Sequence, residues 1–249
     1  MKATRKMIVL LTDFGASEYA GVMRGVIYSI CPDTQVVDLT HSVSSQSIRE
    51  GAWILLQSYK YFPKGTVFVS VIDPGVGTAR DAVIVVTKNY IHVGPDNGLL
   101  FPAASEDEIE RVYRILIDKG VSNTFHGRDI FAKAAAYHEA GTLGVMSTEL
   151  KPGLDQALVF HLEGREGEVV RKDKFGNIIT NLPSLGQTKY QVLIRNEQRE
   201  LPFYETYGYG PDTGVFLVTG SYNTLEIAAK NRPATELLEL DVGEWLTIQ

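Results

Sequence analysis

The sequence predicts an α/β protein in two parts: an N-terminal α/β domain with a mainly parallel sheet over residues 1–155, and a smaller, barrel-like β domain over residues 156–249. Two observations carry this prediction. Up to about Gly144, short apolar runs alternate with segments of helical periodicity, which is the pattern of strand–helix–strand units. Beyond Lys151-Pro152-Gly153, helical periodicity almost disappears, and short apolar runs lie between turn-rich pieces, as in small antiparallel barrels.

In the N-terminal domain, strands are predicted where apolar, β-branched residues run together, and helices where apolar residues recur every three or four positions. The predicted strands are residues 7–12, 35–39, 66–72, 82–87 and 90–93. The predicted helices are residues 19–31, which end before Pro32, residues 47–62, which end before Pro63, and the alanine-rich residues 128–140, which end at Gly141. Because strands alternate with helices, right-handed crossovers between parallel strands are expected.

In the C-terminal domain, the short apolar runs are predicted to be strands. They are residues 157–162, 168–170, 190–194, 214–218 and 245–248. Two polar segments between them are interpreted as turns when each is taken alone: a hairpin turn within residues 173–181 and a loop within residues 220–227.

The composition argues against several classes of protein. The 249 residues are 44% hydrophobic and carry 30 Asp and Glu against 24 Lys and Arg, a formal net charge of −6. Without a basic run, this charge argues against general nucleic-acid binding. The apolar stretches are far shorter than the about 18 residues of a membrane-spanning helix. Cys31 is the single cysteine, so no intrachain disulfide can form, and a cytoplasmic location is expected.

Two predicted strands of the N-terminal domain are followed by an aspartate, Asp13 and Asp73. Ligands of open α/β sheets bind at the carboxyl ends of the strands, so both carboxylates are candidate ligand-binding groups. Asp13 either caps the next helix or holds a ribose diol or a metal. Asp73 opens the segment Asp73-Pro74-Gly75-Val76-Gly77-Thr78-Ala79-Arg80, which is either a plain turn or a glycine-containing loop whose backbone approaches a ligand.

His126 lies in Thr124-Phe125-His126-Gly127-Arg128-Asp129, at the start of the alanine-rich helix. The positive end of the helix dipole disfavours a charged imidazole there, so His126 is either a neutral functional group or a cap. Asp129 is expected to stabilise the helix terminus. The histidines and the cysteine lack the spacing of a zinc site, and no metal is predicted.

Together with Gly94-Pro95-Asp96-Asn97-Gly98-Leu99-Leu100, these segments resemble the S-adenosylmethionine (SAM) hydroxide adenosyltransferases in the same order and over nearly the whole chain. These SAM hydrolases are related to the fluorinase and the chlorinase. Two features depart from the halogenase pattern. The loop at residues 15–19 is one residue shorter, and Gln46 stands where the fluorinase has a tryptophan over the substrate.

The resemblance implies hydrolysis of SAM to adenosine and L-methionine by attack of water or hydroxide on the ribose C5′. The implied catalytic set is Asp73, Arg80 and His126. Asp73 and His126 can accept or relay a proton. Arg80 can hold Asp73 ionised, aim it, and stabilise a nascent hydroxide.

The resemblance also implies the substrate-binding residues. They are Asp13 for the ribose hydroxyls, Asp173 and Ser221 for the methionine amino and carboxylate groups, Phe175 and Asn177 for the adenine, and Tyr222, which stands where the fluorinase has an arginine. SAM is the substrate, so no cofactor is expected. A homotrimer is implied, with each site between the N-terminal domain of one subunit and the C-terminal domain of the next. Some family members prefer the SAM epimer with inverted sulfonium configuration.

Water rather than halide is the predicted nucleophile, because Asp73 stands where the fluorinase has a tyrosine. A carboxylate about 4 Å from a halide costs on the order of 4 kcal/mol at an effective dielectric constant of about 20. Three alternatives stay open: a SAM-dependent halogenase, a non-catalytic adenosine- or SAM-binding protein, and a metal-dependent phosphoesterase. The last would use Asp13, Asp73, His126 and Asp129 as metal ligands.

Overall fold

The computed structural model describes residues 7–117 and 120–249. Contacts between Cα atoms divide the chain into two compact units, a first unit that ends at Leu158 and a second unit over Val159–Gln249. Among the residues that the structure describes, no helix combines the length and the apolarity that crossing a lipid bilayer requires.

The first unit is a seven-stranded sheet with helices. Its strands are β1 (Met7–Thr12), β2 (Gln35–Thr40), β3 (Val67–Val71), β4 (Ala82–Thr87), β5 (Ile91–Pro95), β6 (Ile109–Ile115) and β7 (Thr148–Lys151). Its helices are α1 (Tyr19–Ile30), α2 (Ile48–Ser58), α3 (Phe101–Glu106) and α4 (Ala132–Glu139). A 3₁₀ turn, Tyr59–Tyr61, extends α2, and a π-helical turn, Gly127–Phe131, precedes α4.

The sheet of the first unit is mixed, so the prediction of a mainly parallel sheet is wrong. Its order is β2-β1-β3-β5-β4-β6-β7, in which the first four strands run parallel and each of the last three is antiparallel to its neighbours. The physical reason lies between β4 and β5. Only Lys88, Asn89 and Tyr90 separate them, which is enough for a hairpin, whereas a parallel connection needs a crossover of about a dozen residues.

The second unit is a seven-stranded antiparallel sheet in the order β11-β10-β14-β8-β9-β13-β12. Its strands are β8 (Glu166–Lys172), β9 (Ile178–Pro183), β10 (Lys189–Ile194), β11 (Glu197–Pro202), β12 (Val215–Thr219), β13 (Thr224–Ala229) and β14 (Trp245–Ile248). The sheet is nearly closed on itself. Tyr204, just beyond the edge strand β11, donates its amide hydrogen to the carbonyl of Leu217 in the other edge strand, β12, at 2.9 Å. The prediction of a barrel-like β architecture is confirmed.

One predicted strand of the C-terminal half, residues 157–162, is absent from the described structure. Side chains bond its backbone in place of a neighbouring strand. The His161 amide donates to Glu168 Oε2 at 3.0 Å, and Asn181 Nδ2 donates to the His161 carbonyl at 2.8 Å. Both backbone polar groups of His161 are therefore hydrogen-bonded although the segment does not join the sheet.

Candidate active site

Parallel strands β1 and β3 are neighbours, so the residues that follow them meet at one edge of the first unit's sheet. Asp13 follows β1 directly, and Asp73 follows β3 after Ile72. Both line a cavity of about 580 Å³. Other lining residues include Phe14, Tyr19, Gln46, Phe125, His126 and Arg128.

Arg80 bonds the other two predicted catalytic residues, Asp73 and His126, so that the three form one cluster. Its Nε donates to Asp73 Oδ1 at 2.9 Å, and its Nη2 donates both to Asp73 Oδ2 and to His126 Nδ1, the latter at 2.7 Å. The side chains of Arg80 and Asp73 are 10% and 5% exposed, and His126 is buried. A bidentate pair of this kind holds both planar groups in a fixed orientation.

Gly77 explains how a loop after β3 reaches a histidine that lies far along the chain. Its φ is +77°, and a Cβ at this position would lie 2.3 Å from the Asn123 carbonyl oxygen. Only glycine permits this backbone conformation and this close approach together. The loop of residues 73–80 therefore packs directly against the segment that leads to His126.

The contact with Arg80 determines the tautomer of His126. A guanidinium has only donors, so Nδ1 must be an acceptor, and the proton of the neutral imidazole lies on Nε2. Burial lowers the pKa of His126, and the charge of Arg80 lowers it further. His126 is therefore a neutral group whose Nε2–H is a donor. It occupies the N-cap position of the π-helical turn without a side-chain capping bond, so the interpretation as a cap is wrong.

Asp13 does not cap α1, because Glu18 holds the N-cap position. Instead, Asp13 Oδ2 accepts a 2.8 Å hydrogen bond from the backbone amide of Gln46, whose φ is +62°. This contact fixes the Asp13 carboxylate at the cavity wall and brings Gln46 beside it. The carboxylate keeps further acceptor positions for a ligand, since each of its oxygens has two lone pairs.

The four residues of the alternative metal set do not gather at metal-ligand distances, although Asp13, Asp73 and His126 line the same cavity. Asp129 forms a bidentate pair with Arg128 and accepts from the Ser122 amide, while Asp73 is bound to Arg80. Within residues 7–117 and 120–249, the carboxylates that cluster at metal-ligand distances are those of Asp81, Asp96 and Asp155. Lys151 Nζ lies among these three at 2.7–2.8 Å, and sequence analysis did not predict this cluster.

A second cavity, of about 780 Å³, lies in the second unit. It is lined by all five residues that were predicted to bind substrate from the C-terminal half: Asp173, Phe175, Asn177, Ser221 and Tyr222. Asp173 closes the turn between β8 and β9, as the hairpin interpretation expects. Its carboxylate accepts from the amides of Phe175 and Asn177 at 2.8 and 2.9 Å, and from Asn177 Nδ2 at 2.9 Å.

Glu226 and Tyr207 also line this second cavity, and neither was predicted from the sequence to bind a ligand. Glu226 lies in β13 and is only 5% exposed, and its Oε2 accepts a 2.7 Å hydrogen bond from the Tyr207 hydroxyl. The sequence signal was an acidic residue between the apolar Leu225 and Ile227. A charged side chain inside a buried strand needs a partner, which makes such a position informative.

The first unit is an α/β unit with a buried Asp–Arg–His cluster at its sheet edge, and the second is a barrel-like antiparallel β-sheet with a polar cavity. Residues 8–147 match the SAM hydroxide adenosyltransferase N-terminal domain, and residues 167–247 match the C-terminal domain of the same family. The chain belongs to the SAM hydroxide adenosyltransferase family, which confirms the resemblance found in its sequence.

Individual proteins of known sequence or structure agree with this membership. An (R)-S-adenosyl-L-methionine hydrolase from Thermus thermophilus is 34% identical, over 95% of this chain and 96% of the relative. A fluorinase from Actinopolyspora mzabensis is 27% identical, over 55% of this chain and 56% of the relative. The crystal structure of an uncharacterized conserved protein from Thermotoga maritima is similar with a TM-score of 0.85 and 32% identity, covering 98% of this chain and 100% of that one.

Proposed function

We propose that this protein hydrolyses SAM to adenosine and L-methionine. The observation that carries the proposal is the Asp73–Arg80–His126 cluster beside the cavity that Asp13 also lines. A water oxygen bonds to the ribose C5′ as the C5′–S bond breaks. The electron pair of that bond goes to sulfur, which becomes the neutral thioether of methionine, and the water loses one proton. The sulfonium is already a good leaving group, so the enzyme acts mainly on the nucleophile.

Asp73 is the group that takes the proton in this proposal. The lone pair of His126 Nδ1 is used by Arg80, and Nε2 carries a hydrogen, so His126 can only donate to the attacking oxygen. The Asp73 carboxylate keeps free lone pairs beside its two bonds to Arg80. A water held between the Nε2–H and this carboxylate would be oriented at both ends, which is the positioning that a displacement reaction needs.

The remaining residues hold the substrate. Asp13 binds the ribose hydroxyls from the first cavity. In the second cavity, Phe175 and Asn177 are proposed to contact the adenine. The proposed contacts of the methionine end are Asp173, Ser221 and Tyr222. SAM itself supplies the reactive group, so the proposed reaction involves no cofactor. We assign these roles to functional domains at residues 1–155 and 156–249, in a cytoplasmic enzyme.

We expect the protein to be a homotrimer in which the first cavity of one subunit and the second cavity of its neighbour bind one substrate. The support is that the candidate ligand residues line two cavities, one within each unit. Light scattering with size-exclusion chromatography measures the oligomeric state. A stable monomer that turns over SAM at full rate would contradict the shared site.

Adenosine is the expected product when the purified protein is incubated with either sulfonium epimer of SAM and the mixture is separated by chromatography. With molar chloride present, adenosine should stay the main product, because Asp73 repels a halide. Predominant 5′-chloroadenosine would favour the halogenase, and no turnover of either epimer would favour a binding protein. Activity that a strong chelator abolishes would support the metal-dependent alternative.

A further inference from the structure

We propose that the Glu226 carboxylate binds the α-ammonium group of the methionine moiety, with Tyr207 holding that carboxylate in place. This inference rests on the proposed function, because it takes SAM as the occupant of the second cavity. Glu226 is 5% exposed, yet it lines the cavity. Its Oε2 accepts from the Tyr207 hydroxyl at 2.7 Å, whereas no described residue donates a hydrogen bond to its Oε1. One carboxylate oxygen is therefore fixed, and the other is available to a ligand.

Asp173, the other carboxylate of this cavity, is already used by its own loop. Three N–H groups donate to it, from the backbone of Phe175 and Asn177 and from the Asn177 side chain. These bonds tie Asp173 to the turn between β8 and β9. We therefore assign to Glu226 the ammonium contact that the family resemblance implied for Asp173, and Asp173 holds the loop at the methionine end of the cavity. An ammonium group has three donors and a full charge, and its best partner is the carboxylate with an unused oxygen.

Glu226 also lies in the right place relative to Ser221, the proposed ligand of the methionine carboxylate. A Cβ on Gly220 would lie 1.7 Å from Glu226 Oε1, so the backbone just before Ser221 passes directly against that oxygen. In an α-amino acid the ammonium and carboxylate groups are attached to the same carbon. Their binding groups must therefore lie close together. Glu226 and Ser221 line the same cavity, and Glu226 lies against Gly220, the residue before Ser221.

The charges around Glu226 make ammonium binding dependent on pH. Burial raises the pKa of Glu226; the Tyr207 hydrogen bond lowers it, Asp173 raises it, and Arg171 lowers it, with a net increase. A bound ammonium group favours the ionised carboxylate, so binding weakens as pH falls through this raised pKa. In the wild-type protein, the value of 1/KM should therefore decline as the pH is lowered through the pKa of Glu226.

Glu226→Gln keeps the size of the side chain and removes its charge. We expect KM for SAM to rise about 10- to 100-fold, the range for loss of a charge-assisted hydrogen bond, with kcat nearly unchanged. Inhibition by methionine should weaken in parallel. Inhibition by 4-(methylthio)butanoate, which is methionine without its amino group, should not weaken. This selective loss is the signature of a group that contacts the ammonium.

Two further variants separate this role from a structural one. Asp173→Asn should lower the melting temperature and should affect both inhibitors equally. Tyr207→Phe should move the acid decline of 1/KM to higher pH, because Glu226 loses a bond that favours its charged form. If Glu226→Gln does not fold, the pH profile of 1/KM in Tyr207→Phe tests the role of Glu226 instead.

An unchanged KM in folded Glu226→Gln, or equal weakening of both inhibitors, would overturn the assignment. So would an unshifted pH profile in Tyr207→Phe. A wild-type protein that forms no adenosine from SAM would refute the proposed function itself, so the two failures are distinguishable.

Discussion

Asp73→Asn is expected to lower kcat for SAM hydrolysis by at least about 100-fold, with little change in KM. Asparagine keeps the shape of the side chain and one acceptor for Arg80, but it has no negative charge and cannot take a proton. Because His126 Nδ1 is already engaged by Arg80, no second acceptor in the cluster can replace the carboxylate. The measurement is kcat and melting temperature on the same purified variant.

Asp129→Asn is the matched control for this experiment. It also replaces a carboxylate that forms a bidentate pair with an arginine, Arg128, but this pair lies outside the Asp73–Arg80–His126 cluster. The control should lose some stability and keep its kcat. Asp13→Ala should mainly raise KM, because the ribose hydroxyls are held equally in the ground state and the transition state.

Arg80→Ala and His126→Ala should also lower kcat, and their double variants with Asp73→Asn should be strongly non-additive, since the three residues act as one unit. The opposing view is that Asp73 is only a turn residue. It predicts a destabilised Asp73→Asn protein whose folded fraction turns over at the normal rate, and that result would refute the catalytic assignment.

Much of the first unit could be predicted because its strands are continuous apolar runs. The hydrophobic pattern located β1 and β3, and the carboxyl-end rule then indicated Asp13 and Asp73. Strand direction was not encoded in that pattern. The three-residue link between β4 and β5 required a hairpin, but apolar character alone does not distinguish a hairpin from a crossover.

The contacts within the site were beyond sequence reasoning for a different reason. The meeting of Arg80 and His126 depends on the close approach of Gly77 to the Asn123 backbone, which no periodicity reports. Glu226 was missed because its partner, Tyr207, comes from a separate segment and becomes visible only once the barrel is formed. The family resemblance supplied residue roles, whereas the tautomer of His126 and the unused oxygen of Glu226 required three-dimensional geometry.

Because of His92, the free energy of unfolding is expected to decrease as the pH is lowered from about 6.5 to about 4. Its ring lies in β5 with no exposure, stacked on Phe68 at 5.4 Å and edge-on to Tyr59 at 6.3 Å. Neither ring nitrogen has a hydrogen-bond partner among the described residues. Burial lowers the pKa of His92 from 6.5 to about 4, although the charge of Asp107 opposes this.

The sign of the effect follows from proton linkage. Well above pH 6.5 the imidazole is neutral in both states and contributes no pH dependence. Between pH 6.5 and 4 the unfolded chain binds a proton that the folded chain does not, so the free energy of unfolding decreases as pH falls. A shift of this size amounts to about 3 kcal/mol at its full extent, of which about 2 kcal/mol is lost by pH 5.

His92→Phe should remove this pH dependence, because phenylalanine keeps a stacked ring and has no proton to bind. The measurement is urea unfolding at pH 7.5 and pH 5, with the free-energy difference between the two pH values compared for each protein. Any overpacking by the larger ring shifts both values equally and cancels. His138→Gln is the control: burial also lowers the pKa of His138, but this residue is only half-buried in α4, so a smaller change is expected. Equal pH dependence in the wild-type protein and His92→Phe would show that His92 does not bind a proton on unfolding in this range, because the other histidines are common to both proteins.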